Sequence, residues 1–229
     1  MGHEMVSVHK NVICDNLKYN GETLLTYKIE YPEFVSSCNK MCICKVNMYY
    51  SEKALEFQRY CETELFSEAV KLYNDSVENG FPIRVFEAML VYEVTYLCAC
   101  IISIYFDQYQ YTGGAHGSTI RSSQTWNLWE CGLVELCRMV SCLPDCKSYI
   151  LAEVNAQIEK EPEIYFENFD ELIYETFNEN SFYCKPRGLV VYYQQYDIAP
   201  YSSGIREFLI PYSYCVTNPK KLCCGIQAY

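Results

Sequence analysis

A single apolar stripe constrains this chain more than any other feature. Ile43, Val46, Tyr50, Ala54, Phe57, Cys61, Leu65, Ala69 and Leu72 step by three and four, while Lys53, Glu56, Arg59, Glu62 and Lys71 occupy the other side. That period is the signature of an amphipathic helix. The spacing predicts one helix from about Asn39 to Asn79, stopped by Asn79-Gly80 with Pro82 beyond. So long an apolar face needs a sheet to lie on.

Strand signals surround it. Met5–Cys14 alternates apolar and polar residues, Asn16–Glu22 holds the turn pair Asn20-Gly21, and Thr23–Tyr31 is a second strand closed by Pro32. Ile83–Tyr96 and Cys100–Tyr111 are β-branched and aromatic, and a short link at Leu97-Cys98-Ala99 makes them a hairpin. Ser118–Leu128 follows, with a tight turn at Cys131-Gly132. Helices are predicted over Pro144–Glu161 and from Phe169 to Phe177, and strands over Phe182–Cys184, Leu189–Tyr193 and Ile205–Ile210. The order β-β-α-β-β-β-α-α-β-β-β argues an α+β fold: an antiparallel sheet, a long helix across it and two shorter C-terminal helices. Of the 229 residues, half are apolar, enough for a sizeable core.

The net charge of −11 disfavours phosphate backbones and anionic membranes, and Lys220-Lys221 is the densest basic cluster. It would attract a cationic partner, or it serves only to keep a chain with 23 tyrosines in solution. No apolar run of about 18 residues is present and no leader is visible, so the chain as given reads as cytoplasmic or as a trimmed piece of an exported protein. The 15 cysteines include no Cys-x-x-Cys, and only three histidines accompany them. Without that knuckle, neither zinc nor any other cofactor is expected. The apolar neighbours of most of them suggest that most are reduced, buried thiols, although the odd number leaves at least one free or paired between chains. The pair Cys223-Cys224 in the tail is unexplained.

Two segments carry a more specific signal. Tyr109-Gln110-Tyr111-Thr112-Gly113-Gly114-Ala115-His116-Gly117 puts three glycines in six residues, and the second runs from Leu189 through Tyr196-Asp197-Ile198-Ala199-Pro200-Tyr201 to Ile205. Together, in this order, they resemble the paired domains of RsiV anti-sigma factors and PdaC-type deacetylases. The resemblance spans roughly Thr23 to Pro211. It implies a PdaC-like domain over 1–117, an RsiV-like domain over 118–215 and a tail over 216–229, the two domains forming one unit. It also implies binding rather than chemistry. RsiV-like receptors recognise secreted lysozyme, and catalysis in PdaC-like proteins resides in a separate deacetylase domain for which this chain has no room. The family is extracytoplasmic. Carried over by motif, the partner-binding residues are Thr112, Gly113, Gly114, His116, Asp197, Pro200 and Tyr201, with Tyr201 as aromatic anchor. The two loops are expected to converge.

The residues also allow other readings. The glycine-rich loop could be an anion-binding nest or a corner between strands. His116 could be a general base with neighbouring carboxylates, which would make the chain a hydrolase, or a structural histidine bonded to nearby backbone or a tyrosine hydroxyl. An acid pair for glycosidase work could be drawn from Asp107, Glu130, Asp197 and Glu207. Of Tyr192 and Tyr193, which point to opposite faces of a strand, one is expected in the core. A third alternative is a cytoplasmic homologue with an unknown ligand.

Overall fold

The computed structural model describes residues 6–98 and 100–224, so Met5, Ala99 and Gly225 from the segments named above lie outside the described residues. The chain divides into two units. One contains Val6–Tyr92 and Asp107–Ile120; the other contains Glu93–Phe106 and the described residues from Arg121 onward.

The first unit opens with a long hairpin, β1 (Ser7–Tyr19) and β2 (Glu22–Val35), paired antiparallel along its length. Asn20 and Gly21, at φ 50° and 87°, form its two-residue turn, the geometry that Asn-Gly favours. β1 therefore runs through Asn16–Tyr19 instead of turning there. β2 continues past Pro32 to Val35. Its pairing with β3 (Phe86–Cys98) covers only Leu25–Ile29, and a strand with one hydrogen-bonded neighbour tolerates a residue lacking an N–H. Beyond that point Phe34 is held by a side chain. Asn47 accepts its N–H at 2.8 Å and donates to its carbonyl at 2.9 Å.

The predicted long helix runs from Lys40 to Asn79 as α1 (Lys40–Tyr60), a π-helical turn (Cys61–Leu65) and α2 (Phe66–Asn79). The sequence explains the π turn. From Phe57 the buried positions are Cys61, Leu65 and Ala69, three successive steps of four. At 3.6 residues per turn each such step overshoots by about 40°, so the face would drift by about 120°. A π turn absorbs about one residue's rotation and returns Leu65 and Ala69 to the sheet. Gly80, at φ 69°, ends the helix, and its N–H donates to Ser76 O. Because the helix connects β2 to β3 as a crossover, those two strands pair in parallel. The sheet is thus not antiparallel throughout.

The six strands of this sheet follow the order β1-β2-β3-β4-β5-β6, with β4 at Ile101–Tyr111, β5 at Ser118–Asn127 and β6 at Gly132–Leu133. In the second unit come α3 (Leu136–Met139), α4 (Cys146–Ile158) and α5 (Phe169–Glu175). The Asp145 carboxylate caps α4 by accepting Ser148 N–H at 2.9 Å, which holds its pKa below the ordinary carboxylate range. A second, antiparallel sheet contains β7 (Phe182–Lys185), β8 (Gly188–Tyr193) and β9 (Arg206–Pro211) in that order. Its central strand β8 is buried at every residue. Tyr192 and Tyr193 are therefore both core, where one had been expected. Tyr192 faces Tyr183, and Tyr193 packs edge-on against Phe208 and donates to Ile173 O at 3.0 Å.

The expectation that most cysteines are reduced needs correction in part, for six of them are crosslinked. Among the described residues, three disulfides join Cys100 to Cys223, Cys137 to Cys146 and Cys142 to Cys215, all in the second unit. Absence of Cys-x-x-Cys argues against a zinc knuckle but says nothing of partners 73 or 123 residues away. Cys223 of the tail is explained by its bond to Cys100. Cys61 and Cys184 are buried thiols as read, pushed by burial to about 12 and about 11. Among the described residues, no helix is long and apolar enough to cross a membrane, and no group of three or more His, Cys, Asp or Glu is placed to hold a metal.

Candidate functional site

Thr112, Gly113, Gly114 and His116 lie on the loop between β4 and β5 in the first unit. Gly113 sits at φ 83°, and a Cβ there would meet Leu72 Cδ2 of α2 at 2.9 Å. Gly117 is tighter: a Cβ would stand 2.4 Å from the Tyr109 ring. Glycine is therefore needed at both places, once for conformation and once for the aromatic ring that closes over the backbone. His116 is exposed, and its Nδ1 lies 2.9 Å from Gly117 O. These contacts fold the loop back against its own helix and strand.

Asp197, Pro200 and Tyr201 belong to the β8–β9 connection in the second unit. Gln194 and Asp197 close a turn with two bonds, Gln194 N–H to Asp197 Oδ2 at 2.7 Å and Asp197 N–H to Gln194 O at 3.2 Å. The Gln194 side chain then acts as a strap. It accepts Arg121 N–H at 2.9 Å and donates to Arg121 O at 2.7 Å, completing both backbone groups of that β5 residue. Ile198 and Ala199 are buried, and Ile198 O accepts Phe166 N–H at 3.1 Å. Pro200 is exposed and leads into a short 3-10 turn, Tyr201–Ser203, ended by Gly204 at φ 65°. The loop is thus braced at both ends. Asp197 is half-buried and holds the turn instead of projecting from it. Burial raises its carboxyl above the ordinary value, and the Gln194 N–H offsets part of that. Tyr201 is half-buried too, with the exposed Tyr196 ring 5.8 Å away.

Beneath this loop is a polar cluster that the sequence did not disclose. The Arg121 guanidinium, 8% exposed, pairs with Glu207 and lies 3.8 Å from the Tyr105 ring centroid. Tyr105 donates to Glu93 at 2.7 Å and its ring packs on Tyr183 at 5.1 Å. Burial first and Glu207 second push the Tyr183 phenol far above its usual range. Ser123 donates to Phe182 O at 2.6 Å and touches the Tyr192 hydroxyl at 3.1 Å. The available signal was an arginine inside an otherwise uncharged strand pattern, Ser118–Asn127. Its partners come from β4, β7, β8 and β9, which no local pattern connects.

Two of the four carboxylates considered for acid–base work, Glu130 and Glu207, are paired with cations. Glu130 pairs with Arg138, which holds its pKa below the ordinary glutamate range. Glu207 pairs with Arg121 and lies 3.7 Å from Lys185.

Residues 19–119 match the family model described as Deacetylase PdaC, and residues 142–213 match a protein family of unknown function, DUF3298. The chain carries a PdaC domain and a DUF3298 domain in tandem. The glycine-rich loop falls within the PdaC match, and the braced loop and all of β7–β9 fall within the DUF3298 match. Among solved structures, a DUF3298 family member from Bacteroides fragilis superposes with a TM-score of 0.74 at 17% identity, covering 96% of this chain and 97% of that one. A DUF3298 family protein from Pseudomonas aeruginosa gives 0.58 at 16% identity, with 91% of each chain covered. At these identities the likeness is one of fold. No curated protein matches the chain.

Proposed function

We propose that this PdaC–DUF3298 tandem is a non-catalytic binding module for a cationic protein, of which a lysozyme-type wall hydrolase is the leading candidate. The observation that carries the reading is the braced loop of the DUF3298 domain. A backbone strapped through Gln194 and Asp197 presents Pro200 and aromatic rings at low conformational cost, the arrangement expected of an interface anchor. The net charge of −11 would steer a basic partner toward it. The resemblance to RsiV-type receptors supports the choice of lysozyme. Three disulfides favour an oxidising, extracytoplasmic compartment, where such a partner is met.

A hydrolase built on His116 gains less support. Of the candidate carboxylates, Glu130 is lowered by Arg138 and Glu207 is paired with Arg121, while Asp197, raised by burial, is committed to the Gln194 N–H that closes its turn. The experiment is calorimetric titration of a c-type lysozyme into the chain at low salt, repeated at high salt. Binding that weakens as salt is added is expected. No heat and no complex at low salt refutes the reading.

A further inference from the structure

Tyr196 occupies the third position of the turn closed by Gln194 and Asp197, and its backbone sits at φ 68°. Turns that need a left-handed residue at this place normally take glycine or asparagine, because a side chain with a Cβ is strained there. A tyrosine in this conformation is a local cost that nothing in the turn itself requires. Its ring is not buried in return: Tyr196 is 56% exposed. The strained backbone holds the ring outward, with the Tyr201 ring behind it at 5.8 Å and 34° to its plane. Tyr201 itself is half-buried. Strained non-glycine residues concentrate where a side chain must be presented.

We propose that Tyr196 is the ring this loop offers to its partner, and that Tyr201 and Pro200 form its backing; the proposal rests on the binding reading above. Tyrosine suits the part, since it offers broad contact area with few rotatable bonds and a face that attracts lysine or arginine. The partner surface it fits is a basic one presenting such a side chain, consistent with the acidity of this chain. The Asp197 carboxylate then acts as a positioning group, because its bond to Gln194 N–H fixes the turn that sets the Tyr196 backbone.

The test compares the native chain with Tyr196→Asn, Tyr196→Phe and Tyr201→Ala, using a c-type lysozyme as probe and thermal melting as the control. Asparagine accepts the left-handed backbone and removes the ring, so Tyr196→Asn should melt at or above the native temperature yet bind about thirtyfold more weakly. Tyr196→Phe should stay within about threefold of native. Tyr196→Asn binding like the native chain, while Tyr201→Ala does not, overturns the assignment and leaves the binding reading standing. A Tyr196→Asn melting point well below native also overturns it, since the ring would then be a structural brace. A native chain that fails to bind removes both the reading and the anchor.

Discussion

Removing Cys142–Cys215 should destabilise the chain far more than removing Cys137–Cys146. The two bonds close loops of very different length, with sequence separations of 73 and 9. If a crosslink acts by restricting the unfolded chain, the entropy it removes grows with the logarithm of the loop. That gives about 4.4 kcal/mol for the longer loop and about 2.6 kcal/mol for the shorter. Both are upper values, because the Cys100–Cys223 bond already encloses the other two loops. At about 2–4 °C per kcal/mol for a chain of this size, the paired alanine replacements should lower the melting temperature by about 9–18 °C and about 5–10 °C respectively. The assay is thermal unfolding of Cys142→Ala/Cys215→Ala and Cys137→Ala/Cys146→Ala by circular dichroism, with peptide mapping of the native chain under non-reducing conditions. Equal losses, or a larger loss for the short loop, would refute the loop-entropy argument. A native map without the three crosslinked peptides would refute the pairing itself.

Other outcomes follow from single contacts. Asp197→Asn should raise the melting temperature at pH 7. The folded carboxyl is raised by burial, so its ionisation disfavours folding above the unfolded value of about 4. The gap between variant and native should close as the pH falls through the carboxylate range, and a gap that widens there refutes the assignment. Glu30 behaves oppositely. It bridges Lys10 at 2.6 Å and Lys28 at 2.7 Å and is held below its ordinary value, so its stabilisation is present above about pH 4.3 and lost as pH falls; acid titration of Glu30→Gln against native should show less loss in the variant. Gly117→Ala should cost about 1–3 kcal/mol by denaturant melt, since its Cβ would enter the Tyr109 ring, and Tyr109→Ala in the same chain should recover part of that. Maleimide at pH 8 should label the exposed Cys14 and Cys44 well before Cys61 and Cys184, whose thiols burial holds protonated; mass spectrometry showing equal rates would contradict this.

The parts of the fold legible in the sequence were those written in local period. The stripe from Ile43 to Leu72 marked the long helix, and Asn20-Gly21 marked the first hairpin turn. What escaped was set by distant neighbours. Pro32 looked like a strand end, but whether a missing N–H matters depends on how far β3 accompanies β2. Tyr192 and Tyr193 obeyed strand alternation, yet the strand that carries them is central and covered on both faces. The disulfides join cysteines with no shared motif. At the candidate site, Pro200 and Tyr201 were marked by resemblance, while the backbone conformation of Tyr196 depends on which turn Asp197 closes. Gln194 gave no hint that its amide would complete the backbone of Arg121, 73 residues earlier.

The π turn in the long helix has a consequence for how that helix can move. A uniform amphipathic helix is nearly periodic, so displacing it by one turn, about 5.4 Å, brings similar side chains over similar grooves. Such a rod has several seats of comparable energy on a sheet. The extra residue at Cys61–Leu65 breaks that translational near-symmetry, because the rows before and after it are offset in phase. A one-turn slide would carry the dislocation to a place where the strands expect a regular helix, and put one of the two rows out of step. The helix therefore has one seat, and it can leave that seat by lifting away from the sheet but not by creeping along it.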